Sequence, residues 1–457
     1  MLEDTIAAIA TPLGTGSISI IRISGKQSIE KINKIFKPFS KKINLLEVPS
    51  HTIHHGFILD TDQSILDEVL VSVFKKPNSF TGENIVEISG HGGILITQLL
   101  LERILNEDIR LAEPGEFSKR SFLNGKIDLI QAESIMDLIY AQNKNAIKLS
   151  NLGLQKKTSK LVHKLNREIL NLIGKIEVNI DYPEYEDIQT MTNDIILPYL
   201  KKLIQKIKTI LHFSDKSRIL KQGIKTLIIG KPNVGKSSLL NVLLKEKRAI
   251  VSDIAGTTRD FVDAHINIQG VNLMLIDTAG IRKTKDPLEK IGILKSKKIL
   301  KEAELVLLLL NYNQVLEPED KFLLKITKKY PRIIVISKSD LTQKLDLTQI
   351  NEKKIFISNI KKKGIKNLKK SILEFFGLNL IEQKDFNYFS NIRHIRQLKI
   401  ALKALNNVKK DINLKMPIDI HTINLKEAFN ALNEILGYNQ NNDLLINELF
   451  SKFCLGK

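Results

Sequence analysis

The sequence predicts an α/β-plus-α protein: a mixed α/β domain at the N-terminus, an α-helical domain, and an α/β domain with a mostly parallel, doubly wound sheet inserted into the helical part. Three observations carry this. A chain of 457 residues is too long for one ordinary hydrophobic core. The apolar period changes from alternation to helical spacing near Leu123. Unbroken apolar runs then occupy the stretch after Ile224, and helical spacing returns beyond Phe376.

Residues 1–120 form the first domain. SISIIRIS, EVLVSVF and NIVEIS alternate apolar and polar positions between Gly, Pro and Asn turns, and Ile94–Leu105 is a helical run. Residues 121–215 form the first helical part, with Leu161, Leu165, Ile169, Ile173 and Ile176 on one face, then Leu200, Leu203, Ile204, Ile207, Ile210 and Leu211 on another. The segment YPEYED at 182–187 ends one helix before the next begins. Residues 216–378 form the insert. Its strands TLIIG, LMLID, ELVLLLL, RIIVIS and KIFIS are continuously apolar, as parallel strands covered on both faces are. Residues 379–457 return to helix at Ile395–Val408 and Leu425–Leu436.

One cysteine, Cys454, excludes a disulfide framework and favours a reducing, cytoplasmic location. His51, His54 and His55 lie in a strand-like stretch with no partner carboxylate or thiol pattern and are read as non-ligands. The start, MLEDTIAAIATP, has acidic residues where a secretion signal needs basic ones. Leu305–Leu310, the longest apolar run, is far short of the ~20 residues of a membrane span. A soluble protein is expected. The net charge of +20 fits an RNA partner. Abundant Lys, Ile and Asn from biased coding composition would produce it as well.

Chemistry concentrates in the insert. GKPNVGKS, Gly230 to Ser237, lies between strand TLII and helix SLLNVLL, the setting a phosphate-binding loop requires. Gly230 and Gly235 let the backbone N–H groups turn to the phosphates at a helix N-terminus. Lys236 is placed to bridge the terminal phosphates and Ser237 to ligate Mg2+, with Asn233, Val234 and Ser238 completing the loop. In Ser252, Asp253, Ile254, Ala255, Gly256, Thr257 and Thr258, the last is the second magnesium ligand. DTAG, Asp277, Thr278, Ala279 and Gly280, offers a carboxylate to the metal shell and the Gly280 N–H to the γ-phosphate.

SKSD at 337–340 separates GTP from ATP, since Asp340 accepts from the N1 and N2 donors of guanine and Lys338 lies along the ring. Ser337 stands where the usual N-K-x-D has asparagine, which braces the loop and bonds the base edge, so weaker guanine affinity is expected. Ser358 of FISNI occupies the last base-contact motif, where Asn359 has the backbone N–H that contact uses. Ile281 follows DTAG in place of a water-orienting glutamine, so hydrolysis is arranged differently. Asn233 is a candidate K+ ligand in place of an arginine finger, with Ser252, Ile254 and Thr257. A loop-bracing hydrogen bond is the other reading of Asn233.

Together with DTIAAIATPLGTGSISIIRISG, NSFTGENIVEISGHGG, PGEFSKRSFLNGKIDLIQAESIMDLI and the terminal FCLGK, this series resembles the MnmE (TrmE) family of tRNA uridine-5-carboxymethylaminomethyl modification GTPases over nearly the whole chain. The resemblance implies an N-terminal domain that binds a tetrahydrofolate derivative (5-formyl- or methylene-tetrahydrofolate) and dimerises, a helical domain from both flanks, and an inserted Ras-like P-loop GTPase domain. It implies a homodimer acting with the flavoprotein MnmG on tRNA, a folate-borne one-carbon unit, and K+ activation. On matching positions it assigns Arg22, Glu87, Lys126 and Lys457 to the folate and a role in assisting hydrolysis to Glu289, which joins Asn233, Lys236 and Gly280 as the candidate catalytic residues. Each has a plainer reading: an Arg22–Glu87 cross-strand ion pair, solvated lysines at 126 and 457, an exposed helical charge at Glu289. Cys454 is read as a packing residue. The alternative function is an RNA-binding ribosome-assembly GTPase. It would carry a KH-like GXXG module after the GTPase domain, whereas this chain ends in amphipathic helix and FCLGK.

Overall fold

In a computed structural model, residues 4–40, 42–182, 192–245, 262–276, 300–378, 389–438, 443–451, 453 and 456 are described. The chain divides into two compact units, Met1–Met136 with Leu432–Lys457, and Asp137–Ala431.

The first unit is built on strands β1 (Ile6–Ile9), β2 (Ile18–Ser24), β3 (Phe36–Pro38), β4 (Thr52–Leu59), β5 (Ile65–Phe74), β6 (Ile85–His91) and β7 (Arg110–Leu111), in the order β3-β4-β5-β6-β2-β1-β7. Neighbours are antiparallel except β1 with β7. Period-2 alternation puts Val69, Val71, Val73, Val86, Ile88, Ile21 and Ile23 on one face. Helices α1 (Ser28–Ile35) and α2 (Ile94–Leu105) cover it with Ile29, Ile32, Leu100 and Ile104. The bounds of α2 are those of its apolar run. The opposite face carries Ile6, Ala8 and, on helix α3 (Glu116–Leu123), Phe117. Helices α4 (Leu129–Ile139) and α13 (Asp443–Phe450) add a small core of Leu129, Ile446, Phe450 and Phe453. The carboxylate partner that spacing did not reveal for His55 is Glu68, at 2.6 Å on the adjacent strand.

The second unit combines α5 (Lys144–Leu154), α6 (Lys157–Asp181), α7 (Asn193–Gln222), α11 (Ile392–Asn413) and α12 (Ile418–Leu436) with a six-stranded sheet. The sheet runs β13 (Lys354–Phe356), β12 (Arg332–Ser337), β11 (Leu305–Asn311), β8 (Ile224–Ile229), β10 (Val271–Ile276), β9 (Val262–Ile268). All pairs are parallel except β9 with β10, an edge strand that the apolar runs did not predict because its pattern alternates. Leu305, Leu307 and Leu309 face one core with α8 (Lys236–Lys245) and α10 (Ile365–Phe375). Val306 and Leu310 face the other side, where Leu324 and Ile326 of α9 (Pro318–Thr327) pack. Burial on both faces accounts for the unbroken apolar runs. The loops after β8, β12 and β13 leave the same carboxyl edge of the sheet, where α/β folds bind ligands. Among the described residues no helix is long and apolar enough to cross a membrane.

Candidate nucleotide site and the Arg22 cluster

The loop between β8 and α8 is curled around a plug. Val234 is fully buried, while Asn233 (φ 59°) and Gly235 (φ 105°) take left-handed backbone on either side of it. At Gly235 the conformation rather than space demands glycine: a Cβ would meet nothing nearer than Asn359 Nδ2 at 3.6 Å. Lys236 turns its ammonium back across the loop and donates to the carbonyls of Gly230 (2.6 Å) and Lys231 (2.8 Å). Burial pushes its pKa down. The charge is thus pre-positioned over the loop, at the N-terminus of α8, and among the described residues no carboxylate pairs with it. Ser237 and Ser238 begin that helix, Ser238 exposed. Lys231 is treated oppositely: its buried ammonium sits 3.0 Å from both Glu317 and Asp320, the pair that caps α9.

Three segments far apart in sequence meet beside this loop. Ser337 is fully buried, and its Oγ lies 2.6 Å from the Val234 carbonyl and 3.1 Å from that of Leu310. A hydroxyl has one proton, so the shorter contact, to the phosphate loop, is the bond. The brace expected of asparagine is therefore kept by serine. Lys338 takes φ 55° and Ser339 N–H donates to Ile357, which ties this loop to the strand before Ser358. The Ser358 hydroxyl beside Asp340 holds its carboxyl below the usual range. Asn359 Nδ2 reaches the Gly235 carbonyl at 3.4 Å. The structure brings together Asn233, Val234, Gly235, Lys236, Ser237, Ser337, Lys338, Asp340 and Ser358. Ser252, Asp253, Ile254, Ala255, Gly256, Thr257, Thr258, Asp277, Thr278, Ala279, Gly280, Glu289, Cys454 and Lys457 lie outside the described residues.

In the first unit, Arg22 and Glu87 are direct partners in the β2–β6 register, at 2.7 Å. The cross-strand ion pair read from their alternation is therefore present. Arg22 does more than pair: its Nη1 donates to the Gly456 carbonyl (3.1 Å), and its guanidinium lies 5.7 and 5.8 Å from the ring centres of Phe80 and Phe117. Gly456 (φ 86°) is pressed against β1 so closely that a Cβ would fall 2.4 Å from the Ile9 carbonyl. Gly456 therefore docks beside Arg22. Lys126 is exposed and donates to the Pro77 carbonyl at 2.8 Å.

Sequence reasoning missed Phe80 and Phe117, whose aromatic character in FTGEN and GEFSK was the available signal. It also missed Arg120, 1% exposed, which ties Asp4, Glu83 and Glu116 together. Nothing local marks an arginine as buried. Burial pushes the Glu116 carboxyl up, but hydrogen bonds from Arg110, the Glu113 N–H and Arg120 outweigh it and hold it below its ordinary range.

A family model described as the MnmE helical domain matches residues 129–454, and one described as the GTP-binding protein TrmE N-terminus matches residues 5–126. The chain is 59% identical to a tRNA modification GTPase MnmE of Aster yellows witches'-broom phytoplasma and 55% identical to one of Acholeplasma laidlawii, each match covering 100% of both chains. A tRNA modification GTPase MnmE of Bacillus cereus is 46% identical over 99% of both. Among solved structures, the G domain of the T. maritima FeoB iron transporter is 25% identical at a TM-score of 0.25, covering 33% of this chain and 98% of that one.

Proposed function

The chain belongs to the MnmE family of tRNA modification GTPases, and from that premise we propose that this GTP-hydrolysing enzyme drives modification of tRNA at C5 of the wobble uridine, adding a carboxymethylaminomethyl or aminomethyl group. The observation that carries the nucleotide half is the Lys236 ammonium poised over the phosphate loop on two carbonyls, with no carboxylate partner among the described residues and the Asp340 carboxylate on a neighbouring loop. A phosphate relieves the first and a guanine edge satisfies the second. Ser237 and Thr258 would hold Mg2+. Asn233, Ser252, Ile254 and Thr257 would hold K+, and Glu289 would assist hydrolysis. The exposed, left-handed Asn233 fits a ligand role, since among the described residues its side chain has no bracing hydrogen bond.

Arg22, Glu87, Lys126 and Lys457 would bind a tetrahydrofolate derivative carrying the one-carbon unit. Arg22 fits: two aromatic rings and a cation suit a flat, anionic ligand, and Glu87 can accept from pterin donors. The working form would be a cytoplasmic homodimer acting with the flavoprotein MnmG. Mass spectrometry of wobble nucleosides from cells lacking this protein tests the reading. The C5 substituent should disappear, and an unchanged nucleoside profile would overturn it. GTP turnover should also be faster in K+ than in Na+, and equal rates would remove the potassium site alone.

A further inference from the structure

Helix α11 buries one face and leaves a straight row on the other. Ile395, Leu398, Ala401, Leu405 and Val408 are buried, while Ile392, Arg396, Lys399, Lys403, Asn406 and Lys410 are exposed. Steps of three and four residues keep the exposed set on one line. From Ile392 to Lys410 the sequence contains no carboxylate, and Arg396, Lys399, Lys403 and Lys410 make no ion pair among the described residues. Several other helical cations in this unit face carboxylates: Lys206 with Glu168 at 2.6 Å, Arg218 with Glu304 at 3.1 Å, Lys426 with Glu177 at 2.7 Å. Arg396, Lys399 and Lys403 also border a hollow of about 340 Å³ whose floor is Ile392, Ile395 and Ile400.

We propose that this face of α11 holds the phosphate backbone of tRNA, an inference that rests on the tRNA-modifying reading above. Like charges a turn apart repel, and an anion relieves that repulsion. From Arg396 to Lys410 the row extends ~21 Å, with neighbours mostly ~4.5–6 Å apart along the axis. A single phosphate would meet one or two of these groups, whereas a strand of phosphates meets the whole line and releases counterions at each. The isoleucine floor gives sugar and base faces an apolar surface beside it. Because the buried face anchors the helix, the row is rigid before the RNA arrives. Helix α6 offers a shorter row, Lys157, Lys160, Lys164 and Arg167, over ~15 Å, with Glu168 beside its last member.

The test titrates fluorescent tRNA with the full-length protein between about 50 and 200 mM KCl. Arg396→Glu, Lys399→Glu and Lys403→Glu combined should weaken binding about 100-fold near 0.15 M salt and flatten the slope of log K against log salt by about 2. The matched α6 variant, Lys157→Glu with Lys160→Glu and Lys164→Glu, should stay within about threefold of wild type, since it removes the same charge off the proposed track. Equal loss in both variants would overturn the proposal, because attraction would then follow net charge alone. Wild-type affinity in the α11 variant would also overturn it. If that variant then failed to bind the flavoprotein, the face would be a protein-docking surface instead. Unchanged basal GTP hydrolysis confirms a folded variant; if hydrolysis is lost, the glutamine triple variant carries the same comparison. The outcome is separable from the wobble-nucleoside test, which can fail or succeed whatever surface holds the RNA.

Discussion

Lys236 and Arg22 are both half-buried cations proposed to meet an anionic ligand, yet the chain satisfies them in opposite ways. Among the described residues Lys236 bonds to carbonyl dipoles alone, those of Gly230 and Lys231. Arg22 already has a carboxylate at 2.7 Å, a carbonyl from the C-terminal segment and two aromatic rings. Carbonyls orient an ammonium without cancelling its charge, so Lys236 keeps most of its Coulombic pull for a phosphate. An ion pair cancels it, so Arg22 is structural first and gains from a ligand only what remains. The contrast extends to their surroundings. The first unit around Arg22 is knotted by Arg120, whereas around Lys236 the neighbouring loops are fastened by single hydrogen bonds such as Ser337 to Val234. Stability is expected to reside in the cations of the first unit, and binding in those of the second.

Arg120→Met should show the largest effect on the stability side of that comparison. It strands Asp4, Glu83 and Glu116, and the cost expected from breaking a buried ionic cluster is ~3–5 kcal/mol, read as a lower denaturant midpoint. Loss below ~1 kcal/mol would mean that the knot is solvated and the contrast false. Lys236→Met should do the reverse. GTP affinity should fall by ~2–5 kcal/mol, while the melting temperature without nucleotide holds or rises, because a half-buried charge with no carboxylate partner among the described residues has gone. A drop in both would show that Lys236 also supports the fold.

Asp340→Asn sharpens the binding side. The amide presents a donor where guanine also donates, so preference should move toward xanthosine triphosphate by ~1–3 kcal/mol, and nucleotide competition assays that retain the native margin would remove Asp340 from base reading. A smaller loss is expected for Ser337→Ala, ~0.5–1.5 kcal/mol of nucleotide affinity from one bond to the loop, measured as faster release of a fluorescent GDP.

The smallest effect concerns His91. Its hydrogen bond to buried Asp67, and that carboxylate's charge, raise its pKa above the ordinary imidazole value. A raised folded-state pKa stabilises below the unfolded value and loses that contribution as pH rises through the folded one. Wild type should therefore melt above His91→Gln near about pH 5.5, and the two should converge by about pH 9. A gap that widens with pH would refute the pairing.

Much of this architecture was legible before any coordinates. The bounds of α2, the strands of the six-stranded sheet and the strand–loop–helix setting of GKPNVGKS follow from local rules: apolar period, glycine spacing, and the need to cover a parallel sheet on both faces. Edge strand β9 escaped because its sequence, VDAHINI, alternates apolar and polar residues instead of forming an unbroken apolar run. Site chemistry divides along the same line. Residue types at Lys236, Asp340 and Arg22 could be read as ligand-binding from their motifs, since a motif is a local backbone shape carrying defined donors. What each group does between ligands could not be read. Ser337 looked like a lost brace until folding set its hydroxyl against a carbonyl 103 positions away. Arg22 and Gly456 are 434 positions apart, and it is carboxylates at 317 and 320 that reach Lys231, five positions from Lys236 in the same loop. Whether a charge is free or already neutralised depends on the distance to its partner in space, because Coulombic and hydrogen-bond energies fall off over a few ångströms, and the order of residues in the chain does not carry that distance.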